Sequence, residues 1–238
     1  MPHVLTSIVL LAYREEENLK VLLPQINRVM SDMGGEFEVI VVDSAIPLDG
    51  TNQVCSEYGA AYIGQEQPHY GGAFRTGIKY AKGDRIQVLD ADGSHDPGVM
   101  PSLHAMFDKG YDLVIGSRYV RGGSTHDSKR SQLMSRMLNT AMRLLIGVTA
   151  HDISTSFRLY DATQLKSVRL VRNNFDVLQE VILRMKLNNR RFSIAEVPIV
   201  FEKRVFGESK RQLAKFIIGY IGTAVYILCL RLRYAFQR

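Results

Sequence analysis

Short apolar runs alternate with amphipathic stretches along the first 120 residues of the chain. Each run has the length and composition of a buried strand. The stretch between the first two runs, residues 16–33, carries leucine, isoleucine, valine and methionine at helical spacing. Regular alternation of strand and helix predicts an α/β fold, with a mostly parallel mixed sheet flanked by helices on both faces. The predicted strands are TSIVLLA (6–12), FEVIVVD (37–43), GAAYIG (59–64), DRIQVLDAD (84–92) and YDLVIGS (111–117).

After residue 120 the alternation of strand and helix signals is less regular. The chain contains no internal repeat, low-complexity tract or linker. The sequence therefore predicts one domain, residues 1–212, followed by a C-terminal helical segment, residues 213–238. The remaining predicted elements are a polar loop (121–131), an amphipathic helix (132–147), a second helix (176–187) and a late strand, FSIAEVPIVF (192–201).

The C-terminal segment contains an uncharged run of fifteen residues, 216–230, with Lys215, Arg231 and Arg233 at its ends. A helix that crosses a bilayer needs about 20 apolar residues, so this run is too short for an upright span. Two interpretations remain. The segment is a buried terminal helix, or it lies in or dips into a membrane surface with its basic ends on lipid phosphates. We expect the second, and hence a peripheral or monotopic protein.

Composition narrows the class of protein and of partner. Of 238 residues, 46% are hydrophobic and 23% are charged, as in a globular protein. The net charge of +6 points to anionic partners, which include nucleic acid, anionic lipid and phosphorylated small molecules. Net charge is the only feature that favours nucleic acid, since no binding motif accompanies it, and we expect none to bind. Cys55 and Cys229 are too far apart in sequence to indicate a disulfide framework or a zinc site. From the basic net charge and the absence of a disulfide framework, we expect the protein to act at the cytoplasmic face of a membrane.

The stretch LDADGSHDP (89–97) ends an apolar run at two acids, Asp90 and Asp92. Where a strand ends and the chain turns, both carboxylates can approach one hard cation. Oxygen ligands suit Mg²⁺ or Mn²⁺, which bridge protein carboxylates to substrate phosphates. Gly93 lets the backbone come close to a ligand, and Ser94 offers one more oxygen.

A plainer interpretation of the same acids is a solvated turn, in which Asp92 or Asp96 caps the helix that begins near Pro97. We assign the cap to Asp96 and keep the metal for the other two acids. Glu15 and Asp43 also fall at or just past predicted strand ends. Ligands of open α/β sheets bind beyond the carboxyl ends of the strands, so these acids predict one shared site.

Seven segments, in this order, resemble the dolichol-phosphate mannosyltransferases, which belong to the inverting glycosyltransferase family 2 and have the GT-A fold. The resemblance covers residues 5–212, and its last segment is specific to enzymes that act on polyprenyl phosphates. The segments are AYREEENL (12–19), VVDSAIPLDGT (41–51), GGAFRTGIKYAKGD (71–84), LDADGSHDP (89–97), GSRYVRGG (116–123), DISTSFRLYD (152–161) and EVPIVFEKRVFGESK (196–210).

The resemblance implies transfer of a hexose, mannose from GDP-mannose above all, to the phosphate of a polyprenyl or dolichyl phosphate, with Mg²⁺ or Mn²⁺. Asp92, Arg118 and Arg130 would be the catalytic residues. The implied binding residues are Tyr13, Glu15 and Asp43 for the nucleotide; Asp90, Asp92 and Ser94 for the metal; Arg204 and Lys210, with Asp90, for the donor diphosphate; and Arg118, Arg130 and Ser135 for the acceptor phosphate.

Single members of this set have plainer explanations. Arg118 fits a solvated or ion-paired surface residue, Arg130 lies in a basic loop that could meet lipid, and Tyr13 fits the core. Glu15 fits an early-helix acid that the helix dipole favours. The ordered set as a whole favours the functional interpretation.

The sequence departs from the family pattern around the nucleotide pocket. Ser44 stands where a second acid is usual, one residue is inserted before Asp49, and Arg14 replaces an asparagine. Gly93 and Ser94 stand where an apolar residue and Gln or Ser are usual. A UDP-sugar donor, such as UDP-glucose or a UDP-GlcNAc-type sugar, is therefore the alternative. A catalytically silent scaffold that docks on membranes is a remote one.

A lipid phosphate is largely dianionic at neutral pH, since its second pKa is about 6, and so needs no strong general base. We accordingly expect Asp152 to have only a structural or acceptor-shaping role. His95 and His151 adjoin motifs, but we expect neither to take part in the chemistry.

Overall fold

The computed structural model describes residues 5–202 and 213–236 of the chain. Arg204 and Lys210, which we predicted to hold the donor diphosphate, lie outside the described residues.

The described residues form nine strands and eight α-helices. The strands are β1 (Leu5–Leu11), β2 (Glu36–Asp43), β3 (Ala61–Gly64), β4 (Arg85–Asp90), β5 (Leu113–Ser117), β6 (Ser124–Thr125), β7 (Arg158–Asp161), β8 (Ile194–Pro198) and β9 (Val200–Phe201). The helices are α1 (Glu16–Met33), α2 (Thr51–Glu57), α3 (Tyr70–Tyr80), α4 (Met100–Phe107), α5 (Lys129–Ile146), α6 (Ala162–Ser167), α7 (Val177–Asn188) and α8 (Leu213–Phe236).

Seven strands form the main sheet, in the order β3-β2-β1-β4-β7-β5-β8. β7 runs antiparallel to both of its neighbours, and the other pairs are parallel. The predicted α/β class and the mostly parallel mixed sheet are therefore confirmed. The strand order reverses between β1 and β4, which is the switch point where ligands of such sheets bind.

Both faces of the sheet are covered, and β1 and β4 are accordingly buried at every position except at end residues. Successive side chains of a strand point to opposite faces. In β1, Ile8 and Leu10 therefore belong to the core cluster that α1, α2 and α4 complete, while Val9 belongs to the cluster on the other face, which contains Phe74 of α3 and residues of α5–α8.

Local signals explain why α1 has the bounds that the sequence predicted. Two acids, Glu16 and Glu17, occupy its first turn, where the helix dipole favours negative charge. Gly34 ends it in the left-handed conformation, with φ 74°, which glycine adopts without strain.

Residues 192–201 do not form the single strand that we predicted. Pro198 has no N–H to continue the ladder with β5, and the chain divides there into β8 and β9. Strand β9 pairs instead with β6 in a two-stranded ribbon. Because of this change of pairing partner, the chain leaves the main sheet after β8 and reaches the loops beside Asp90 and Asp92.

Helix α8 packs against α5 and α7. Thr223 and Ile227 are buried in that contact, whereas Val225, Leu228 and Leu232 are exposed. The segment thus combines a buried face with an exposed apolar one. Among the helices of the described part of the chain, none is long and apolar enough to cross a membrane.

Candidate active site

The acids that the sequence singled out lie at one edge of the sheet. Leu11 of β1 pairs with Asp90 of β4 on one side and with Val42 of β2 on the other. Beyond the strand ends, the N–H of Ala12 donates to the carbonyl of Val42 at 2.9 Å. Glu15, Asp43, Asp90 and Asp92 therefore follow three adjacent parallel strands, as predicted. Their binding roles stay predictions.

Hydrogen bonds of side chains within the turn that follows β4 stabilise this turn. Oδ1 of Asp92 accepts hydrogen bonds from the N–H of Ser94 at 3.0 Å and from its hydroxyl at 2.6 Å. Gly93 between them has φ 74°, the left-handed region. The carboxylate of Asp92 and the hydroxyl of Ser94 are thus adjacent, which is the arrangement that a shared cation would need.

Asp96 has the capping role that we assigned to it. Its Oδ1 accepts from the N–H of Gly98 at 2.8 Å, at the start of a short 3-10 helix, Pro97–Val99, that leads into α4. The exposed Asp96 thus stabilises the start of this helix, a role that differs from the metal binding predicted for Asp90 and Asp92.

Asp90 has two neighbours that the sequence did not reveal. The Tyr70 hydroxyl donates to Oδ1 of Asp90 at 3.3 Å. The backbone N–H of Asp90 points to Nδ1 of His95 at 3.4 Å. Burial lowers the pKa of His95, so the imidazole is neutral, and its Nδ1 serves as the acceptor. His95 therefore supports the turn, and its expected absence from the chemistry stays a prediction.

The ring of His95 also joins the acid turn to the chain that follows β8. It stacks on Phe157 with ring centroids 5.1 Å apart and meets the edge of Phe201 at 5.3 Å. The guanidinium of Arg118 lies 5.2 Å from the centroid of the same Phe201 ring. The ring of His95 and the guanidinium of the first predicted acceptor arginine thus contact the same Phe201 side chain.

At the predicted nucleotide end, Tyr13 is 49% exposed and does not belong to the core. Glu15 is buried and accepts from the Asn18 amide at 2.5 Å. Asp43 is also buried, and Oδ2 of its carboxylate accepts from the Tyr62 hydroxyl at 3.2 Å. Burial raises the pKa of Asp43 above its ordinary value.

Hydrogen bonds hold the loop that contains the inserted residue against the first residues of α1 and α2. Asp49 accepts from the N–H of Glu16 at 3.1 Å and from that of Thr51 at 3.1 Å. Glu16 in turn accepts from the N–H of Gly50 at 2.8 Å. Ser44, which replaces the usual second acid, bonds to the carbonyl of Ile46 at 2.8 Å. The departures from the family pattern thus form one ordered loop beside Asp43.

The first predicted acceptor residue, Arg118, is buried in an ion pair. Its Nε and Nη2 donate to the two carboxylate oxygens of Asp152 at 2.7 and 2.9 Å. Burial opposes the charge on both groups. The mutual attraction nevertheless raises the pKa of Arg118 and lowers that of Asp152. Asp152 is thus held as a carboxylate that orients the guanidinium, while Nη1 of Arg118 makes no hydrogen bond within the described residues.

A polar chain joins Arg118 to Ser135 of α5. Nη2 of Arg118 donates to the hydroxyl of Ser154 at 2.9 Å. The Asn139 amide donates to the same hydroxyl at 3.0 Å and to the carbonyl of Ser135 at 3.0 Å. The structure therefore brings two of the three predicted acceptor residues together through Asn139, which the sequence analysis missed.

Arg130 lies apart from that network, on the exposed first turn of α5. It borders an open groove of about 560 Å³ whose other walls are mainly apolar. A second arginine of the helix, Arg136, lies 5.0 Å from the ring of Tyr119, as does the guanidinium of Arg118. Arg136 was not among the predicted acceptor residues, although it lies on the same helix as Ser135. The groove is lined by Ser128, Arg130, Ser131, Leu133, Met134, Met137 and Leu138.

The switch-point site and the sheet order define a glycosyltransferase of the GT-A fold. Residues 7–169 match the family model described as glycosyl transferase family 2, and the chain belongs to that family. It is 31% identical to polyprenol monophosphomannose synthase of Mycolicibacterium smegmatis, over 86% of this chain and 80% of that protein. It is 29% identical to dolichol-phosphate mannosyltransferase of Pyrococcus furiosus, over 90% of this chain and 61% of that protein.

A solved structure supports the fold. Glucosyl-3-phosphoglycerate synthase from Mycobacterium tuberculosis, in complex with Mn²⁺, UDP and glucosyl-3-phosphoglycerate, superposes with a TM-score of 0.73 at 20% identity. The match covers 94% of this chain and 80% of that one.

Proposed function

We propose that the protein transfers mannose from GDP-mannose to the phosphate of a polyprenyl phosphate, with inversion at the sugar carbon and with Mg²⁺ or Mn²⁺ bound. One observation carries the proposal. The ring of His95, whose Nδ1 accepts from the N–H of Asp90, and the buried guanidinium of Arg118 both contact one ring, that of Phe201. A donor diphosphate and an acceptor phosphate can therefore occupy adjacent places at one sheet edge. Both curated relatives bear names of polyprenyl- or dolichyl-phosphate mannose transfer.

The ligand chemistry of the acid turn fits a hard cation. Asp90, Asp92 and Ser94 offer oxygens alone, the ligands that Mg²⁺ and Mn²⁺ prefer. Within residues 5–202 and 213–236, no three His, Cys, Asp or Glu side chains form a metal-binding group. The coordination shell would thus be completed by the donor diphosphate and water. When bound, the ion would neutralise charge on the departing nucleoside diphosphate.

The acceptor side requires binding and alignment, with no general base. A lipid phosphate is already largely dianionic at neutral pH, because its second pKa is about 6. Nη1 of Arg118, the guanidinium of Arg130 and the hydroxyl of Ser135 would hold this phosphate in line with the sugar carbon. Asp152 is a poor base, since the adjacent Arg118 lowers its pKa below the ordinary value despite burial. Its contribution is to fix the direction of the Arg118 guanidinium.

The donor nucleotide would occupy the pocket beside Tyr13, Glu15 and Asp43. The Asp43 carboxylate would accept hydrogen bonds from the base, and the exposed ring of Tyr13 would cover it. We expect Arg204 and Lys210 to clamp the diphosphate, as the family resemblance implies.

The exposed faces of α5 and α8 support a proposal of membrane association. Leu133, Met137 and Leu144 of α5 are exposed, as are Leu228 and Leu232 of α8. Apolar side chains beside basic ones favour the interface of an anionic membrane. We therefore propose that the protein docks on the cytoplasmic face of a membrane and that the groove beside Arg130 receives the polyprenyl chain. The basic residues of the two helices are Lys129, Arg130, Arg136, Arg143, Lys215, Arg231 and Arg233.

A donor screen combined with one substitution tests the proposal. GDP-mannose, UDP-glucose and UDP-GlcNAc are each offered with a short polyprenyl phosphate, and the glycolipid product is measured. We expect product from GDP-mannose that requires Mg²⁺ or Mn²⁺, and its loss in Asp92→Ala.

Asp96→Asn is the matched control, because it changes an acid of the same segment that serves only as a cap. It should keep wild-type activity. Product from UDP-glucose alone would move the donor assignment to UDP-sugars, and near-wild-type turnover by Asp92→Ala would overturn the metal assignment.

A further inference from the structure

The side chain of Tyr70 lies between Asp90 and the ring of Phe175. Its hydroxyl donates to Oδ1 of Asp90 at 3.3 Å, and its ring stacks on Phe175 with centroids 4.1 Å apart and an interplanar angle of 24°. Tyr70 is the first residue of α3, and Phe175 precedes α7 by two positions. Two distant parts of the chain thus meet at one predicted metal ligand.

The segment that carries Phe175 is clamped to the first turn of α3. The N–H of Gly71 donates to the carbonyl of Asn173 at 2.7 Å. Arg75, one turn later, donates from Nη1 to the carbonyl of Arg172 at 2.5 Å and from Nη2 to Oδ1 of Asn173 at 2.7 Å. The two backbones are so close that a Cβ at Gly71 would lie 2.2 Å from the carbonyl oxygen of Arg172. The Phe175 ring is therefore held at a fixed position beside Tyr70.

A hydrogen bond to one oxygen of a carboxylate restricts the rotation of the carboxylate and so favours one direction for the other oxygen. Groups that hold metal-binding side chains in this way typically change metal affinity or activity by about 10- to 100-fold when they are removed. The Tyr70 ring cannot turn away from Asp90 without breaking its stack on Phe175. The geometry therefore preorganises the Asp90 carboxylate before any ion arrives.

We propose that Tyr70 is a positioning residue for the divalent cation, which it serves by orienting the Asp90 carboxylate, and that Phe175 holds the Tyr70 ring in place. The proposal rests on the proposed function, in which Asp90 and Asp92 bind the ion. Tyr70 touches neither the nucleotide nor the acceptor in this assignment. Its removal should therefore weaken metal binding and leave the chemistry of the loaded enzyme intact.

The test is Tyr70→Phe, which removes the hydroxyl and keeps the ring. Mn²⁺ is titrated into the full chain in the presence of GDP, and the free ion is followed by its electron paramagnetic resonance signal. We expect the Kd for Mn²⁺ to rise about tenfold. Transfer activity should fall at limiting Mn²⁺ and return to near the wild-type kcat at saturating Mn²⁺, which a general loss of structure would not produce.

Tyr80→Phe is the matched control, since the hydroxyl of Tyr80, at the opposite end of α3, also donates to a carboxylate, Oε1 of Glu66, at 3.1 Å. It should bind Mn²⁺ as the wild type does. Phe175→Leu removes the stack but not the hydroxyl, and should also weaken Mn²⁺ binding. Phe175→Tyr keeps an aromatic ring and should restore the wild-type affinity.

The outcomes separate this proposal from the function on which it rests. If Asp92→Ala loses Mn²⁺ binding and Tyr70→Phe keeps the wild-type Kd, the role of Tyr70 is wrong and the metal assignment stands. If Asp92→Ala binds Mn²⁺ as the wild type does, the metal assignment fails, and the role of Tyr70 fails with it. A Tyr70→Phe defect that saturating Mn²⁺ does not reverse would also overturn the positioning role.

Discussion

The ion pair between Arg118 and Asp152 shows how one buried residue depends on another that is 34 positions away. Removing one partner of a buried pair leaves the other charge without compensation, at a cost of about 3–5 kcal/mol. We expect Asp152→Asn to lower the melting temperature by roughly 2–4 °C per kcal/mol lost. Thermal denaturation followed by circular dichroism measures the effect. Asp32→Asn, which changes an exposed ion pair with Arg28, should leave the melting temperature unchanged.

The pH dependence of that effect has a definite sign. Although burial alone would raise the pKa of Asp152, Arg118 lowers it below the unfolded value of about 3.9. The folded state thus gains stability from the ionised carboxylate above the unfolded pKa, and loses it as the pH falls through the lowered folded pKa. The difference in stability between wild type and Asp152→Asn should be constant from neutral pH to about pH 5 and shrink only below about pH 4. A difference that shrinks already between pH 7 and pH 5 would contradict the lowered pKa.

The backbone of Arg14 has a strained conformation that an arginine residue does not favour. Its φ is 59°, in the left-handed region, where an ordinary L-residue costs about 1–2 kcal/mol and asparagine costs less. Arg14→Asn should therefore raise the free energy of unfolding by up to about 1 kcal/mol. Urea denaturation measures the change. Arg28→Asn, at an ordinary helical position, is the control and should not stabilise the chain. A lower free energy of unfolding for Arg14→Asn would show that its contact with the Tyr13 ring outweighs the strain.

At the scale of elements, patterns within a segment were predictable and contacts between segments were not. Helix α1 was predicted with its observed bounds because its periodic face, acidic first turn and terminal glycine all lie in sequence. Strand β7 was missed, since its first residue, Arg158, is a fully buried cation. Carbonyls supplied by other parts of the chain, those of Ile153 and Leu178 among them, satisfy its guanidinium. A pattern of apolar residues does not reveal such a partner.

Helix α8 allows membrane binding to be tested without removing its buried side. Leu228 and Leu232 are both 51% exposed, whereas deletion of the helix would also remove the buried Ile227. We expect the double change of Leu228→Gln and Leu232→Gln to reduce co-sedimentation with vesicles that contain anionic lipid, because less apolar area enters the interface. Val21→Gln, on the exposed side of α1, is the control and should sediment as the wild type does. Unchanged sedimentation of the double variant would assign the anchor to α5.

At the scale of the whole molecule, the strand order explains which site residues could be predicted. Acids after β1, β2 and β4 converge because the carboxyl ends of parallel strands share an edge, so their positions in sequence were sufficient. Tyr70 and Asn139 could not be found in this way. Tyr70 reaches the site from α3, which packs against the sheet, and Asn139 from α5, which packs against α7 and α8, so each contact depends on the tertiary arrangement alone.

The predicted acceptor site combines residues of α5 with Arg118, which follows β5, and substitution of Arg130 tests this site most directly. Substitution of Arg118 would also break a buried ion pair, whereas Arg130 is exposed at the start of α5. Arg130→Lys keeps the charge but loses the forked geometry that binds a phosphate through two hydrogen bonds. Charge-assisted bonds contribute about 1.5–3 kcal/mol each, so the acceptor KM should rise by about ten- to a hundredfold.

Donor affinity, measured by calorimetry with GDP-mannose, should stay at the wild-type value in Arg130→Lys. Arg143→Lys, in the last turn of the same helix, keeps its charge near any bound lipid and should change neither quantity. If donor affinity falls while the acceptor KM is unchanged, Arg130 belongs to the diphosphate site. The phosphate of the acceptor would then rest on Arg118 and Ser135 alone, within the network that Asn139 and Ser154 complete.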